Sequence, residues 1–436
     1  MYAAITSATL SGIEALPVMV EVDVAPGLPG IYLSGLADTA VREARERIKA
    51  AVRNSGLPWP QKRLTVNLAP ADLRKEGPIL DLPMALALLL AQTSLPPGCL
   101  DSSLVLGELA LNGELRPVRG ALSCTLLARS QGLEQVLLPA ENAAEAAMVS
   151  GVRVVPVSSL REAVDFLRGR FQPPRLLRRS MTGTEPLPDL ADVRGQAAAR
   201  RALEIAAAGG HNLLLSGPPG TGKSMLASRL PGLLPPLPDE AAFEVTRISS
   251  AAGLQPAGLI RSPPFRTPHH SISVTALLGG SRPGELSLAH HGVLFLDEAA
   301  EFPQRTLDLL RQPLESGVIR IQRRNVDQVL PARFQFIAAR NLCPCGYRDV
   351  PGHTCRCSPG QLQAYARRLS GPLLDRIDLH VSMTLLSPLE LTRLTPGEPT
   401  AQVRRRVRAA RHRALTRQGC PDAQLSGQEL RRHCRL

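Results

Sequence analysis

The run Gly217-Pro218-Pro219-Gly220-Thr221-Gly222-Lys223-Ser224 fits the phosphate-cradling template G-x-x-x-x-G-K-[ST]. Glycines at these points let backbone N–H groups turn inward onto phosphate oxygens. The apolar stretch Asn212-Leu213-Leu214-Leu215 precedes the run as a predicted strand. Ser224 to Leu230 follows as a predicted helix, whose N-terminus adds partial positive charge. In that context Lys223 is expected at the β- and γ-phosphates and Ser224 on a Mg²⁺ ion. A second apolar strand, Val293-Leu294-Phe295-Leu296, ends in Asp297-Glu298. Asp297 is placed to hold the Mg²⁺ shell, and Glu298 to polarise an attacking water. Together the two elements imply binding of ATP with Mg²⁺, followed by hydrolysis.

Further polar residues stand at the ends of predicted elements. Phe334 to Ala339 reads as a strand ending at Arg340-Asn341, which makes Asn341 the candidate to orient the hydrolytic water. In Leu374-Asp375-Arg376-Ile377-Asp378, Arg376 is a candidate finger for the γ-phosphate of a neighbouring subunit, with Arg311 as competitor. The bland alternative for Arg376 is a salt bridge to Asp375 or Asp378 within the chain. Cys343, Cys345, Cys355 and Cys357 put four thiols on one Gly- and Pro-bearing loop, a set suited to structural Zn²⁺ although C-x-C is tighter than the usual spacing. Unligated thiols are the alternative. Val318 to Asn325 alternates and then turns, predicting a β-hairpin whose tip is crowded by Arg320, Arg323 and Arg324, a device for gripping DNA phosphates. Between the two phosphate-site strands, the insert Phe265 to Glu285 carries His269-His270. Adjacent residues are expected to point apart, so loop packing or nucleic-acid contact is favoured there over a shared metal.

These residues must be positioned by a large scaffold. The chain has 436 residues, 44% hydrophobic and only 3% aromatic, with a formal charge of +13. Such length supports two or three domains, and the charge points to a polyanionic partner. The only lysines are Lys49, Lys62, Lys75 and Lys223, so the basic balance is carried by arginine. The longest apolar stretch, Met84 to Ala91, is too short to span a bilayer, and no signal peptide is visible. No membrane partner and a cytoplasmic location are therefore expected.

Residues 1–168 alternate strands (20–24, 63–68, 135–139, 153–157) with helices, including 81–90. Residues 169–189 are proline-bearing and aperiodic, a linker. Residues 190–385 follow the helix–strand–loop–helix order of a doubly wound sheet. Residues 386–436 are helical, with Val403, Val407, Ala410 and Ala414 at helical spacing and arginines on the other faces.

In the first region, Arg74-Lys75-Glu76-Gly77-Pro78, Gly107 to Gly120 and Val136 to Asn142 resemble the Lon-type protease fold. A Ser–Lys dyad would need serine after the Gly-Pro pair and a lysine on the later helix. The chain offers Ile79 and Leu80 at the first place and Ser123 near the second, so proteolysis has no chemistry here.

Taken together with Leu190 to Gln196, these motifs resemble the ComM/YifB family of magnesium-chelatase-like AAA+ ATPases over nearly the whole chain. The resemblance implies an α/β protein: an N-terminal Lon-protease-like (S5-like) α+β domain, then a P-loop AAA+ doubly wound domain with a helical C-terminal lid portion. It also implies a homo-hexameric ring that migrates branched DNA during integration of transforming DNA, with branched or single-stranded DNA as its partner. Two departures are visible. Leu342 stands where the family usually has proline after the asparagine, and the family's sensor arginine would fall beyond Leu436. Competing readings are a chelatase motor inserting Mg²⁺ into a porphyrin, a protein-remodelling ring, and a non-catalytic adaptor. Porphyrin-stimulated turnover would favour the first, and an aromatic pore loop the second.

Overall fold

Alternation and apolar runs resolve into sixteen strands in a computed structural model, which describes residues 1–35, 39–75, 77–174, 187–323, 326–425 and 427–433. The chain is mixed α/β and divides into two units, Met1–Thr182 with Thr246–Leu259, and Gly183–Val245 with Ile260–Leu436.

The first unit holds β1 (Tyr2–Ser11), β2 (Glu14–Ala25), β3 (Gly30–Ser34), β4 (Arg63–Ala69), β5 (Ser103–Val105), β6 (Glu108–Leu109), β7 (Leu115–Arg116), β8 (Gln135–Pro139) and β9 (Arg153–Val157). Seven of them form one sheet in the order β3-β4-β2-β1-β5-β8-β9. Period-two patterning turns Val18, Val20, Val22 and Val24 of β2 to the core and leaves Met19 and Asp23 exposed. The helix Asp81–Ala91 is apolar all round and correspondingly buried.

At the place where a protease nucleophile would stand, Ile79 and Leu80 are buried in a short 3₁₀ turn, Pro78–Leu80. Ser123 is also buried. Its hydroxyl donates to the Ile13 carbonyl at 2.6 Å and accepts from Arg247 Nε at 3.1 Å. A serine held this way is a packing group, in keeping with the non-proteolytic reading. Arg247 lies in Thr246–Leu259, a segment distant in sequence that the contacts place in this unit. There Gly120 N–H also donates to the Ser250 carbonyl at 3.0 Å.

The second unit is built on a five-stranded parallel sheet ordered β11-β12-β15-β10-β16. Its strands are β10 (Leu213–Ser216), β11 (Phe265–Arg266), β12 (Val293–Leu296), β15 (Gln335–Arg340) and β16 (Leu379–Ser382). A separate hairpin pairs β13 (Val318–Arg323) with β14 (Val326–Pro331). β10, β12 and β15 are buried on both faces, as their apolar runs require. The sequence order departs from the spatial order at β10, which sits between β15 and β16. In such open sheets, ligands gather at the carboxyl ends of strands near that reversal. Helix Thr400–Gln418 turns Val403 and Val407 into the same core. Among the described residues no helix is long and apolar enough to cross a membrane.

Candidate nucleotide site

The predicted phosphate residues converge at the carboxyl ends of β10, β12 and β15. Gly217 begins the loop directly after β10, where a Cβ would stand 2.5 Å from the Met383 carbonyl oxygen. Only glycine fits there. Lys223 opens the helix Lys223–Ala227, and Gly222 at its N-cap takes a left-handed φ of 83°. The Lys223 ammonium is buried and donates to the Gly217 and Pro218 carbonyls at 2.8 Å each. Burial pulls its pKa below the usual range, while Asp297 and Glu298 act in the opposite direction.

Ser224 Oγ donates to Asp297 Oδ2 at 2.5 Å, across 73 residues of sequence. A serine hydroxyl and a carboxylate brought together in this way are the two protein oxygens that would flank a phosphate-bound Mg²⁺, so the residues fit that ion. Glu298 follows in a left-handed conformation, φ 48°, with its N–H donating to Asp297 Oδ1 at 3.0 Å and its side chain exposed. A bulky residue held at positive φ stores strain that surrounding structure must sustain, a feature that gathers at active sites. From the end of β15, Asn341 Oδ1 accepts from Lys223 Nζ at 3.1 Å. Lys223, Ser224, Asp297 and Asn341 thus form one connected polar set, with Glu298 at its exposed rim.

The arginine candidates are paired within the chain. Arg376 donates through Nε to Glu315 Oε1 at 3.0 Å and also through Nη2. The intrachain partner is therefore Glu315, neither Asp375 nor Asp378. Asp378 instead faces His211 at 3.5 Å and accepts the Asn212 N–H at 2.9 Å. Arg311 pairs with Asp308 at 2.6 Å and donates to Ser370 Oγ at 2.9 Å. Both pairs are largely exposed, where an ion pair is worth little and exchanges readily.

The expected hairpin is present, but Arg320 does not stand at its tip. It pairs with Val329, three pairs in from Arg323↔Val326, and its side chain is exposed on the shaft. Arg324 and the Arg323 side chain lie outside the described residues. The expectation that His269 and His270 point apart is corrected: their rings lie 4.0 Å apart, tilted 35°. They occupy a loop rather than a strand, so the alternation rule does not govern them. Neither joins a metal-capable group among the described residues. In the same insert, Arg266 makes a two-pronged pair with Glu285 at 2.7 Å for each bond.

Two groups of potential ligands stand near these elements. Cys343, Cys345, Cys355 and Cys357 bring all four sulfurs within 4.8 Å of one another, with separations of 3.3, 3.8 and 3.7 Å among the first three. A tetrahedral zinc with Zn–S of about 2.3 Å requires S···S near 3.8 Å, so the set fits the ion. Backbone amides of Tyr347 and Arg356 hydrogen-bond Cys345, the outer-shell support that tetrathiolate sites use.

The second group, Glu244 with His290 and His291, was not signalled by the sequence. Both Nε2 atoms meet Glu244 Oε2, at 3.0 and 2.8 Å. The Arg333 N–H donates to His290 Nδ1 at 3.0 Å, so a neutral His290 keeps its proton on Nε2 and donates it to Glu244. That tautomer has no lone pair for a metal, and the trio is a hydrogen-bonded bracket. Burial depresses His290 to about 4.

A phosphate loop, a serine–aspartate pair joining the helix after it to the end of β12, and a lysine–asparagine bridge define the site of a P-loop ATPase. Comparisons with known proteins narrow the class. Residues 189–391 match the family model described as magnesium chelatase, subunit ChlI, and 20–142 match subunit ChlI of Mg-chelatase. Residues 397–436 match the ChlI C-terminal model. YifB of Salmonella typhimurium is 46% identical over 430 residues, covering 98% of this chain and 84% of the relative. Competence protein ComM of Haemophilus influenzae is 44% identical over 436 residues, covering 98% and 85%. A Lon protease of Bacillus thuringiensis is 28% identical over 130 residues, 28% of this chain and 16% of that protein. The chain belongs to the ComM/YifB family of magnesium-chelatase-like AAA+ ATPases.

Proposed function

We propose that this protein is an Mg²⁺-dependent ATPase motor acting on DNA, a branch-migration helicase that works as a homo-hexameric ring. The ring would promote integration of transforming DNA by homologous recombination in the cytoplasm. One observation carries the catalytic half: Ser224 and Asp297 meet at 2.5 Å beside a Lys223 already bridged to Asn341. When bound, Mg²⁺ neutralises charge on the phosphates and templates their geometry. Lys223 then exchanges its loop carbonyls for phosphate oxygens, Glu298 takes a proton from water, and Asn341 holds that water in line. Arg376 leaves Glu315 to reach a neighbouring subunit's γ-phosphate.

The DNA half is supported by likeness to a competence protein, by the charge of +13 and by the exposed Arg320 on a two-stranded hairpin. Arg320, with Arg323 and Arg324, would track phosphates without reading sequence. Zinc on the four cysteines is a structural ion in this reading.

The test is ATP turnover with and without a four-way DNA junction. Turnover should rise on adding the junction, and Arg320→Ala should blunt the rise while leaving the DNA-free rate unchanged. Equal rates with and without DNA would refute the DNA motor. The chelatase descriptions of the matching models favour one second reading, a motor for Mg²⁺ insertion, for which a porphyrin rather than DNA would be the stimulant.

A further inference from the structure

The loop carrying the four thiols presses on the nucleotide loop. Gly346, between Cys345 and Cys355, has φ of +84°, and a Cβ there would stand 2.6 Å from Pro219 Cδ and 2.7 Å from Pro219 Cγ. Its N–H is fixed by the Cys343 carbonyl at 2.9 Å. Just upstream of Cys343, Asn341 takes the hydrogen bond from Lys223. Just downstream of Cys357, Ser358 caps the helix Pro359–Arg368 with a capping box. The end of that helix meets the segment after Glu298. Arg368 donates to the Ala300 carbonyl at 2.8 Å and pairs with Glu301 at 2.9 Å, shortly after Glu298. The buried Tyr365 makes a hydrogen bond with the Asn341 backbone. One short loop is therefore tied to the phosphate loop, to Asn341 and to the segment that follows Glu298.

Between Cys343 and Cys357 only Cys343, Gly346 and Val350 are buried. A loop with so little core depends on its cross-link for a fixed shape. Anything that alters the cross-link reaches Pro219 directly, because no side chain intervenes at Gly346.

We propose that the four-thiol loop is a nucleotide-affinity clamp: bound zinc fixes the loop, and the loop holds Pro219 and Asn341 where the phosphates need them. The proposal rests on the zinc reading given above and extends it, since a purely structural zinc would leave nucleotide affinity untouched.

The experiment uses the full chain isolated anaerobically and reads zinc per chain by mass spectrometry together with the Kd of a fluorescent ADP analogue. Neither readout needs turnover. About one zinc per chain is expected. Stripping it with a chelator should raise the Kd about tenfold or more, and adding zinc back should restore it. Gly346→Ala should keep its zinc yet raise the Kd about tenfold, because the new methyl displaces Pro219. In Pro219→Ala/Gly346→Ala the offending ring atoms are gone, and the Kd should fall back towards that of Pro219→Ala, leaving only the strain of an alanine at the left-handed φ of position 346.

Should stripping unfold the chain, as read by circular dichroism, the Gly346→Ala comparison decides, since it is made with zinc in place. Protein that never carries zinc refutes the zinc reading and the metal dependence with it. Protein that holds zinc but whose Kd ignores both stripping and Gly346→Ala overturns the clamp and leaves the zinc reading standing.

Discussion

Asn341→Ala separates binding from chemistry at this site. Asn341 Oδ1 accepts one bond from Lys223 Nζ at 3.1 Å, while two carbonyls of the phosphate loop accept from the same ammonium at 2.8 Å. A hydrogen bond to a charged group contributes about 1.5–3 kcal/mol when its loss leaves the charge unsatisfied. Lys223 keeps two partners in the variant and gains phosphate oxygens on binding, so the ground-state loss falls below that range. Nucleotide Kd should rise less than about tenfold. Orientation of the attacking water matters only as charge develops. Removing one such preorganised group costs about 10²–10³ in kcat, roughly 2.7–4 kcal/mol. The assay pairs steady-state ATP turnover with titration of a fluorescent nucleotide on the same preparation. A Kd that rises by several hundredfold, or a turnover equal to that of the parent protein, would refute the assignment of Asn341 to the hydrolytic water.

Two further outcomes follow from the geometry. Glu298→Gln keeps the backbone bond to Asp297 and the loop intact, so it should bind nucleotide within about threefold of the parent while turnover falls by about 10²-fold or more. Single-turnover hydrolysis on the pre-bound complex checks it. His290 faces Glu244, His291 and Arg333, and its folded-state pKa of about 4 lies below the ordinary 6.5. The unfolded chain therefore takes up the proton first. This contribution to stability is complete above pH 6.5 and is lost as pH falls towards 4, up to about 3 kcal/mol. His290→Gln should flatten that part of the pH profile, read as the difference in melting midpoint between variant and parent across the window.

The elements that carry a local signature were legible in the sequence. Val293–Leu296, Gln135–Pro139 and Arg153–Val157 are strands with the expected bounds, because short apolar runs flanked by turn residues leave little choice of register. The serine–aspartate pair was foreseeable because Ser224 follows the phosphate loop after β10 and Asp297 follows β12, two strands of one parallel sheet. What stayed hidden depends on contacts between segments far apart in the chain. Nothing local in Thr246–Leu259 signals its place in the first unit, where Arg247 serves Ser123. The Glu315 partner of Arg376 lies 61 residues away on another element. Glu244 finds His290 and His291 only once the helix Asp239–Ala252 is folded. Gly346 looks like an ordinary turn glycine until the approach of Pro219 gives it a reason. The close approach of the His269 and His270 rings shows the limit of a strand rule carried into a loop.

Movement of a fluorescently labelled four-way DNA junction, followed in real time with ATP and Mg²⁺, bears most directly on the proposal of a DNA motor. Branch migration should proceed with the parent chain and stop with Glu298→Gln or a non-hydrolysable nucleotide, although both still bind the junction. Branch migration at the same rate without hydrolysis, or none with an enzyme that turns over ATP on that junction, would contradict it.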